Sequence, residues 1–343
     1  MKGYKLAVVG ATGMVGQEFL KILEQRQFPI ESITLLASDR SAGKKVFFNH
    51  QEIEVKETTA TSFKGIDIAL FSAGAEISRY FAPIAAQSGA VVIDNSSAWR
   101  MDPKVPLVVP EINPEDIKKH KGIIANPNCS TIQMVVALNP LHQKNPIKRI
   151  IVSTYQSVSG TGVAAIDELT NQAKQILNGN TVVPHVYSHQ IAFNVLPEID
   201  VFLDNAYTKE EWKMVEETRK ILHNDDIAIS ATCVRVPVFN SHSEAINVEF
   251  TNSITPDEAR RILHKAPGVK LMDDPAISLY PQPYSAAGTD DVFVGRIRTD
   301  VSHSNSLVMW VVADNIRKGA ALNTIQIAEE IIKRNWLQPN GGE

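Results

Sequence analysis

The chain is poor in cysteine, has no long apolar run and shows no excess of positive charge. Each shortage removes a class of function. Only two cysteines, Cys129 and Cys233, occur in 343 residues, too few for a disulfide-built scaffold. No stretch approaches the roughly 18 to 20 apolar residues that a membrane-spanning helix needs. Met1-Lys2-Gly3-Tyr4-Lys5 leads straight into an apolar strand pattern with no secretory leader. A cytoplasmic location with no membrane partner is therefore expected. The net charge is −4, with the basic residues scattered among a larger number of acids, so no nucleic-acid partner is expected either. No metal site is foreseen.

What is present is an ordinary globular composition at a length that suits two domains. The first third alternates short apolar runs with helical patterns. Leu6 to Val9, Ile33 to Ala37, Ile68 to Phe71, Ala90 to Ile93 and Ile123 to Ala125 read as strands, and Gly13 to Gln25 and Ile77 to Gln87 as helices. Runs apolar throughout are buried on both faces, so the sheet is largely parallel and the domain an α/β, Rossmann-like doubly wound fold. Lys45 to Val55 looks like an antiparallel insertion.

The texture changes near Asn126. Cys129 to Leu141, Gly162 to Leu177 and Glu210 to His223 have helical spacing. Arg149 to Thr154, Ile227 to Val238, Ala245 to Thr251, Val292 to Arg298 and Leu307 to Val312 read as strands. Few helices intervene late, so an α+β domain with a mostly antiparallel sheet is expected. The expected division is 1–128, completed by a C-terminal helix over 315–343, and 129–314.

Gly10-Ala11-Thr12-Gly13-Met14-Val15-Gly16 follows the first strand and opens the first helix. Glycine lets backbone approach a pyrophosphate, and the helix start offers free N–H groups. The spacing is G-x-x-G-x-x-G. It reads as a dinucleotide turn, against the plainer reading of a tight turn that binds nothing. After the second strand, Asp39 would suit a ribose hydroxyl, whereas Arg40 with Ser41 would suit a 2′-phosphate. The arginine and its hydroxyl neighbour favour NADP. Ser72-Ala73-Gly74, at a later strand end, can pass under the cofactor.

Asn126-Pro127-Asn128-Cys129-Ser130-Thr131 lies between a strand end and a helix start. The dipole and free N–H groups there favour thiolate, the form that attacks an aldehyde or acyl phosphate. The alternative is a structural cysteine, which is how mid-strand Cys233 reads. Arg235 and His242 flank a bend with Pro237, Asn240 and Ser241. A hairpin there would put both on one face, about 13 Å apart. His242 suits a general base or a structural role, and Arg235 a carboxylate clamp or a solvated charge. Arg100 and Lys213 are further candidate phosphate cations, although Glu210 and Lys213, one helical turn apart, also read as a surface ion pair. Gln156 and the small-residue loop after it, with Ser159 and Gly160, can approach a ligand.

Together, the glycine turn, Asn126-Pro127-Asn128-Cys129-Ser130-Thr131, Gln156-Ser157-Val158-Ser159-Gly160, Arg235-Val236-Pro237 and His242-Ser243-Glu244 resemble aspartate-semialdehyde dehydrogenase of the bacterial type. The resemblance runs to Trp310-Val311-Val312-Ala313-Asp314-Asn315. It implies a reversible, NADP-dependent reductive dephosphorylation of L-aspartyl-4-phosphate to aspartate semialdehyde, on the route to lysine, methionine and threonine. By the same resemblance Cys129 is the thioester nucleophile, His242 the acid/base and Gln156 the substrate-orienting residue. Arg235 binds the α-carboxylate, Glu210 lies near the amino group, and Arg100 and Lys213 bind phosphate. Gly10, Thr12, Gly13, Met14, Val15, Arg40, Ser41, Ser72, Gly74, Ser159, Gly160 and Asn315 hold the cofactor. A homodimer or homotetramer is implied. Asn128 and Ser130 around the cysteine favour the aspartyl enzyme over N-acetyl-glutamyl-phosphate reductase. A non-catalytic NADP-binding regulator leaves the cysteine unexplained, and a cysteine hydrolase with no redox step is excluded if NADPH is consumed in step with phosphate release.

Overall fold

The computed structural model describes residues 3–337. It divides into two compact units, one of residues up to Asn128 together with those from Ala320 on, the other of Cys129–Gly319.

In the first unit, β1 (Tyr4–Val9), α1 (Met14–Gln25), β2 (Ile30–Ala37), β3 (Lys45–Phe48), β4 (Gln51–Glu54), β5 (Lys56–Glu57), β6 (Ile68–Phe71), α2 (Ala75–Gln87), β7 (Val91–Asp94) and β8 (Ile123–Ala125) follow in order. The main sheet runs β5-β2-β1-β6-β7-β8, with every pairing parallel. Successive strand side chains point to opposite faces. Leu6, Val8, Ile68, Leu70, Val91 and Ile93 thus share one core with Phe19 and Leu23 of α1 and with Leu322, Ile325 and Ile331 of the closing helix. The intervening Ala7, Val9, Ala69, Phe71 and Val92 are buried too. Burial on both faces is why these strands are continuously apolar. The Lys45 to Val55 insertion is a separate antiparallel hairpin of β3 and β4.

The second unit holds α3 (Cys129–His142), β9 (Ile147–Gln156), α4 (Val163–Leu177), α5 (Lys209–Leu222), β10 (Ala228–Arg235), β11 (His242–Phe250), α6 (Pro256–Leu263), β12 (Val269–Leu271), α7 (Pro283–Ala286), β13 (Val292–Thr299) and β14 (Ser306–Ala313). Its sheet order is β10-β9-β11-β14-β13-β12. The β9–β11, β11–β14 and β13–β14 pairings are antiparallel, and the two outer pairings parallel. Helix α3 is apolar around most of its circumference and buried along nearly its whole length, as a helix enclosed by other elements must be. Thr208 and Glu211 form a reciprocal capping box that starts α5. Among the described residues, no helix is long and apolar enough to cross a membrane.

The closing helix differs from the expected 315–343. A π turn spans Arg317–Ala321, and the α-helix proper is Leu322–Lys333. The Asp314 carboxylate accepts the N–H groups of Ile316 and Arg317 at 2.8 and 2.9 Å, which fixes the start of the turn. At the far end Asn335 adopts φ 56° and the Trp336 N–H reaches back to Ile331 O at 2.8 Å, a left-handed stop. Residues 338–343 of the expected helix lie outside the described residues.

Candidate active site

The first unit supplies the dinucleotide turn. Gly10 has φ +84°, and a Cβ there would sit 2.2 Å from Ser72 O. One on Gly16 would sit 2.2 Å from Gly10 O. The turn therefore packs backbone on backbone and admits only glycine at both points. Gly10, Thr12, Gly13, Arg40 and Ser72 line a cavity of ≈ 510 Å³, joined by Asp39, Glu57 and Phe81. Met14, Val15, Ser41 and Gly74 are not part of its lining. Gly13 caps α1 in an extended conformation without a side chain, leaving the helix start open to a phosphate. The residues present thus fit a dinucleotide.

Arg100 is also in this unit, and 9% exposed. It is held by carbonyls, Nε donating to Asn126 O at 3.0 Å and Nη2 to Asn95 O at 2.8 Å. The second of these anchors directly follows a hydroxyl-bonded acid. The Asp94 carboxylate accepts from Ser96 Oγ at 2.6 Å, and burial pushes its pKa up against that bond and the pull of Arg100. Asn128 is buried.

The second unit begins with Cys129, half-buried at the first residue of α3. Gly319, inside the π turn, approaches it so closely that a Cβ would stand 2.7 Å from the Cys129 Cβ. A single π turn at the start of a helix is a feature that recurs at functional sites.

Arg235 and His242 do not form the expected hairpin. Strand β9 lies between β10 and β11, so Arg235 is level with Gln156, and His242 opens β11 beside the end of β9. Residues 236–241 cross over that end instead, where the N–H groups of Val158 and Ser159 reach the carbonyls of Val238 and Phe239. Pro237 has no N–H to offer a ladder, which favours the crossover. The consequence is that Gln156, Arg235 and His242 meet at one edge of one sheet.

Gln156, Glu210, Arg235 and His242 are buried there, and the edge is closely bonded. Gln156 Nε2 donates to Glu210 Oε1 at 3.1 Å, and Lys213 Nζ donates to Glu210 Oε2 at 3.0 Å and to Asp200 at 2.9 Å. Burial works against the charge on Lys213, but Glu210 and Asp200 together hold its pKa above the usual lysine value. Arg235 Nη1 donates to Ser157 O at 2.6 Å, while its Nε has no partner among the described residues. His242 is fully buried. Burial first, then the Arg235 cation, push its pKa down to about 3. A Cβ on Gly160 would lie 3.2 Å from Arg235 Nη1 and 3.4 Å from His242 Nε2, so this glycine keeps the space between them open.

Sequence reasoning placed Ser159 and Asn315 with the cofactor. Here their side chains form a network under His242. Asn315 Oδ1 accepts from Ser157 Oγ, Ser159 Oγ and the Ser241 N–H at 3.1, 3.2 and 2.9 Å. Ser157 and Gly319 were missed. The sequence signal for Gly319 was a glycine inside a helical pattern. For Ser157 there was none beyond its loop.

Comparison with known proteins agrees on both units. Residues 5–120 match a family model described as semialdehyde dehydrogenase, NAD binding domain, and residues 138–318 one described as semialdehyde dehydrogenase, dimerisation domain. The aspartate-semialdehyde dehydrogenase of Aquifex aeolicus is 59% identical over 339 residues, covering 98% of this chain and all of that protein. The crystal structure of aspartate semialdehyde dehydrogenase II from Vibrio cholerae complexed with ASA is similar with a TM-score of 0.95 at 48% identity, over 97% of this chain and 99% of that one. The enzyme of Candida albicans, solved with NADP, is similar with a TM-score of 0.78 at 27% identity, over 97% and 99% of the two chains.

Proposed function

Because this chain belongs to the aspartate-semialdehyde dehydrogenases, we propose that it works with Cys129 as nucleophile, His242 as acid/base, Arg235 as carboxylate clamp and NADP as hydride carrier. The Cys129 sulfur attacks the acyl carbon of L-aspartyl-4-phosphate, the bond to the phosphate oxygen breaks, and phosphate leaves with the electron pair. A thioester remains on Cys129. NADPH supplies the hydride that reduces the thioester carbon. His242 gives a proton to the resulting oxyanion to form the thiohemiacetal. It takes that proton back as the carbon–sulfur bond breaks and aspartate semialdehyde is released.

Arg235 is the residue for the α-carboxylate, since a guanidinium matches two oxygens at once. Its unpartnered Nε is a donor still to be satisfied. Carboxylate binding also prepares His242. Neutralising the cation that depresses the imidazole raises its proton affinity when the substrate arrives. The Ser157 hydroxyl, 3.1 Å from Nδ1, then accepts the second ring proton of the imidazolium. Gln156 and Glu210 orient the substrate amino end, and Lys213 and Arg100, with Asn128 beside the nucleophile, suit the phosphate. Arg40, at the rim of the dinucleotide cavity, suits a 2′-phosphate. The dimerisation-domain match over residues 138–318 supports a homodimer or homotetramer, to be read by sedimentation equilibrium.

The observation that supports this reading best is the convergence of Gln156, Arg235 and His242 at one sheet edge. Phosphate-dependent NADP reduction by aspartate semialdehyde tests it. Cys129→Ala should lose at least about 10³-fold in kcat while NADP still binds. Turnover at the parent rate would refute the nucleophile.

A further inference from the structure

The arginine proposed for phosphate is held by two carbonyls, and what holds those carbonyls lies far away in the chain. Arg100 donates from Nε to Asn126 O and from Nη2 to Asn95 O, at 3.0 and 2.8 Å. A guanidinium is planar, so two fixed acceptors set the plane of the whole fork and the direction of its other N–H groups. Whatever fixes the carbonyls therefore fixes the aim of the cation. Asn95 directly follows β7 and Asn126 directly follows β8, and these strands are neighbours in the parallel sheet. Both carbonyls thus stand at strand carboxyl ends, where ligands bind in such sheets.

Backbone bonds secure these two residues on one side. The Asn95 N–H donates to Phe71 O at 3.0 Å, and the Asn126 N–H to Asp94 O at 2.8 Å. Past Asn126 comes Pro127, which has no N–H with which to continue a ladder. The rest of the hold comes from side chains, and it leads to the closing helix. Asn323 Nδ2 donates to Asn126 Oδ1 at 2.7 Å and to Val108 O at 3.0 Å. Thr324 Oγ1 donates to Asn95 Oδ1 at 3.0 Å across 229 residues. The same hydroxyl reaches the Ala320 carbonyl, one turn back, at 3.0 Å.

Asn323 and Thr324 are fully buried, on a helix that otherwise sinks Leu322, Ile325, Ala328 and Ile331 into the core. Polar side chains in such a place cost stability unless they are bonded. These two spend their bonds on the two asparagines whose carbonyls hold Arg100. Adjacent helix residues point about 100° apart, which lets them serve two neighbouring strand ends at once. We propose that Asn323 and Thr324 are positioning residues for Arg100, so that the closing helix sets the aim of the phosphate-binding cation. This rests on the reading that Arg100 binds phosphate.

The test is NADP reduction with phosphate, NADP and aspartate semialdehyde each varied in turn. Asn323→Leu strips the donor from Asn126 Oδ1 and from Val108 O. It should raise the KM for phosphate about tenfold, while the KM for NADP and for aspartate semialdehyde stays within about twofold. Thr324→Val keeps the shape of the side chain and removes the hydroxyl, and should raise the phosphate KM about threefold. Thr324→Ser, which keeps the hydroxyl, should restore the parent value. A purely structural role would lower the melting temperature and move all three constants together. Parallel rises in all three, a parent phosphate KM in Asn323→Leu or in Thr324→Val, or a Thr324→Ser as poor as Thr324→Val overturns the proposal. If Asn323→Leu does not fold, the two Thr324 variants still decide. Arg100→Ala separates the two levels of the reading. A parent phosphate KM in that variant means that the cation itself is misassigned. A raised value there, beside unmoved values in the Asn323 and Thr324 variants, sinks the positioning role alone.

Discussion

The backbone N–H of Ser157 donates to Nδ1 of His242 at 3.0 Å, so the neutral imidazole carries its proton on Nε2, beside Gly160 and Arg235. Burial and Arg235 hold the pKa of this ring near 3, whereas the unfolded chain titrates near about 6.5. The unfolded state therefore takes up a proton that the folded state refuses. The stability this group contributes is whole above pH ~6.5 and declines as the pH falls from there toward about 3. In proton NMR of the free protein the His242 ring signals should not titrate between about pH 5 and 8. A carboxylate ligand on Arg235 should move their midpoint upward. A midpoint near the ordinary histidine value without ligand would contradict this account.

Arg235→Lys keeps the charge and loses the planar fork. Lysine offers one point charge where two parallel bonds are needed. The expected result is a fall of about 10²-fold in kcat/KM for aspartate semialdehyde, with the KM for NADP unchanged. Steady-state kinetics with each substrate varied in turn separates the two. An unaltered kcat/KM would remove the clamp.

Gly160→Ala inserts a methyl group 3.2 Å from Arg235 Nη1 and 3.4 Å from the His242 ring. Both neighbours are buried and have little room to yield. The variant should fold with a melting temperature close to the parent's and lose about tenfold in kcat, equal to ~1.4 kcal/mol in the barrier. Full activity would mean that the space between Arg235 and His242 does not matter to the reaction.

Arg40→Ala addresses the cofactor. The side chain borders the same cavity as Asp39, whose carboxylate accepts the Arg40 backbone N–H at 2.7 Å. Removing the guanidinium takes away the cation for a 2′-phosphate and leaves an acid suited to a free ribose hydroxyl. The ratio of kcat/KM for NADP to that for NAD should fall about tenfold or more. A constant ratio would show that the preference is set elsewhere.

Much of the fold was legible because its strands are buried on both faces. Val8, Leu70 and Ile93 announce a parallel sheet through unbroken apolar runs. The place of Cys129 at a helix start was legible from local context, since Pro127 and the start of α3 are adjacent in the chain. Pairing was not. Arg235 and His242 are close in sequence and invite a hairpin, but the strand between them, β9, comes from residues 147–156. Alternation within a strand says which residues share a face, not which strand lies alongside. Gly319 and Ser157 escaped for the same reason, because what each does depends on a neighbour remote in the chain. Glu210 and Lys213 look like a surface ion pair by spacing, and only the burial of Glu210 (5% exposed) and its bond to Gln156 set them apart.

The crossover that seats β9 between β10 and β11 also dictates when, during folding, the protein becomes an enzyme. Ser157 meets Arg235 across 78 residues and His242 across 85. Contacts that remote form only after long loops have closed. Helices such as α4 and α5 are complete long before that on the clock of local structure. A refolding chain is thus expected to regain its helical signal before the edge where Gln156, Arg235 and His242 meet, and no fragment ending before His242 can assemble that edge.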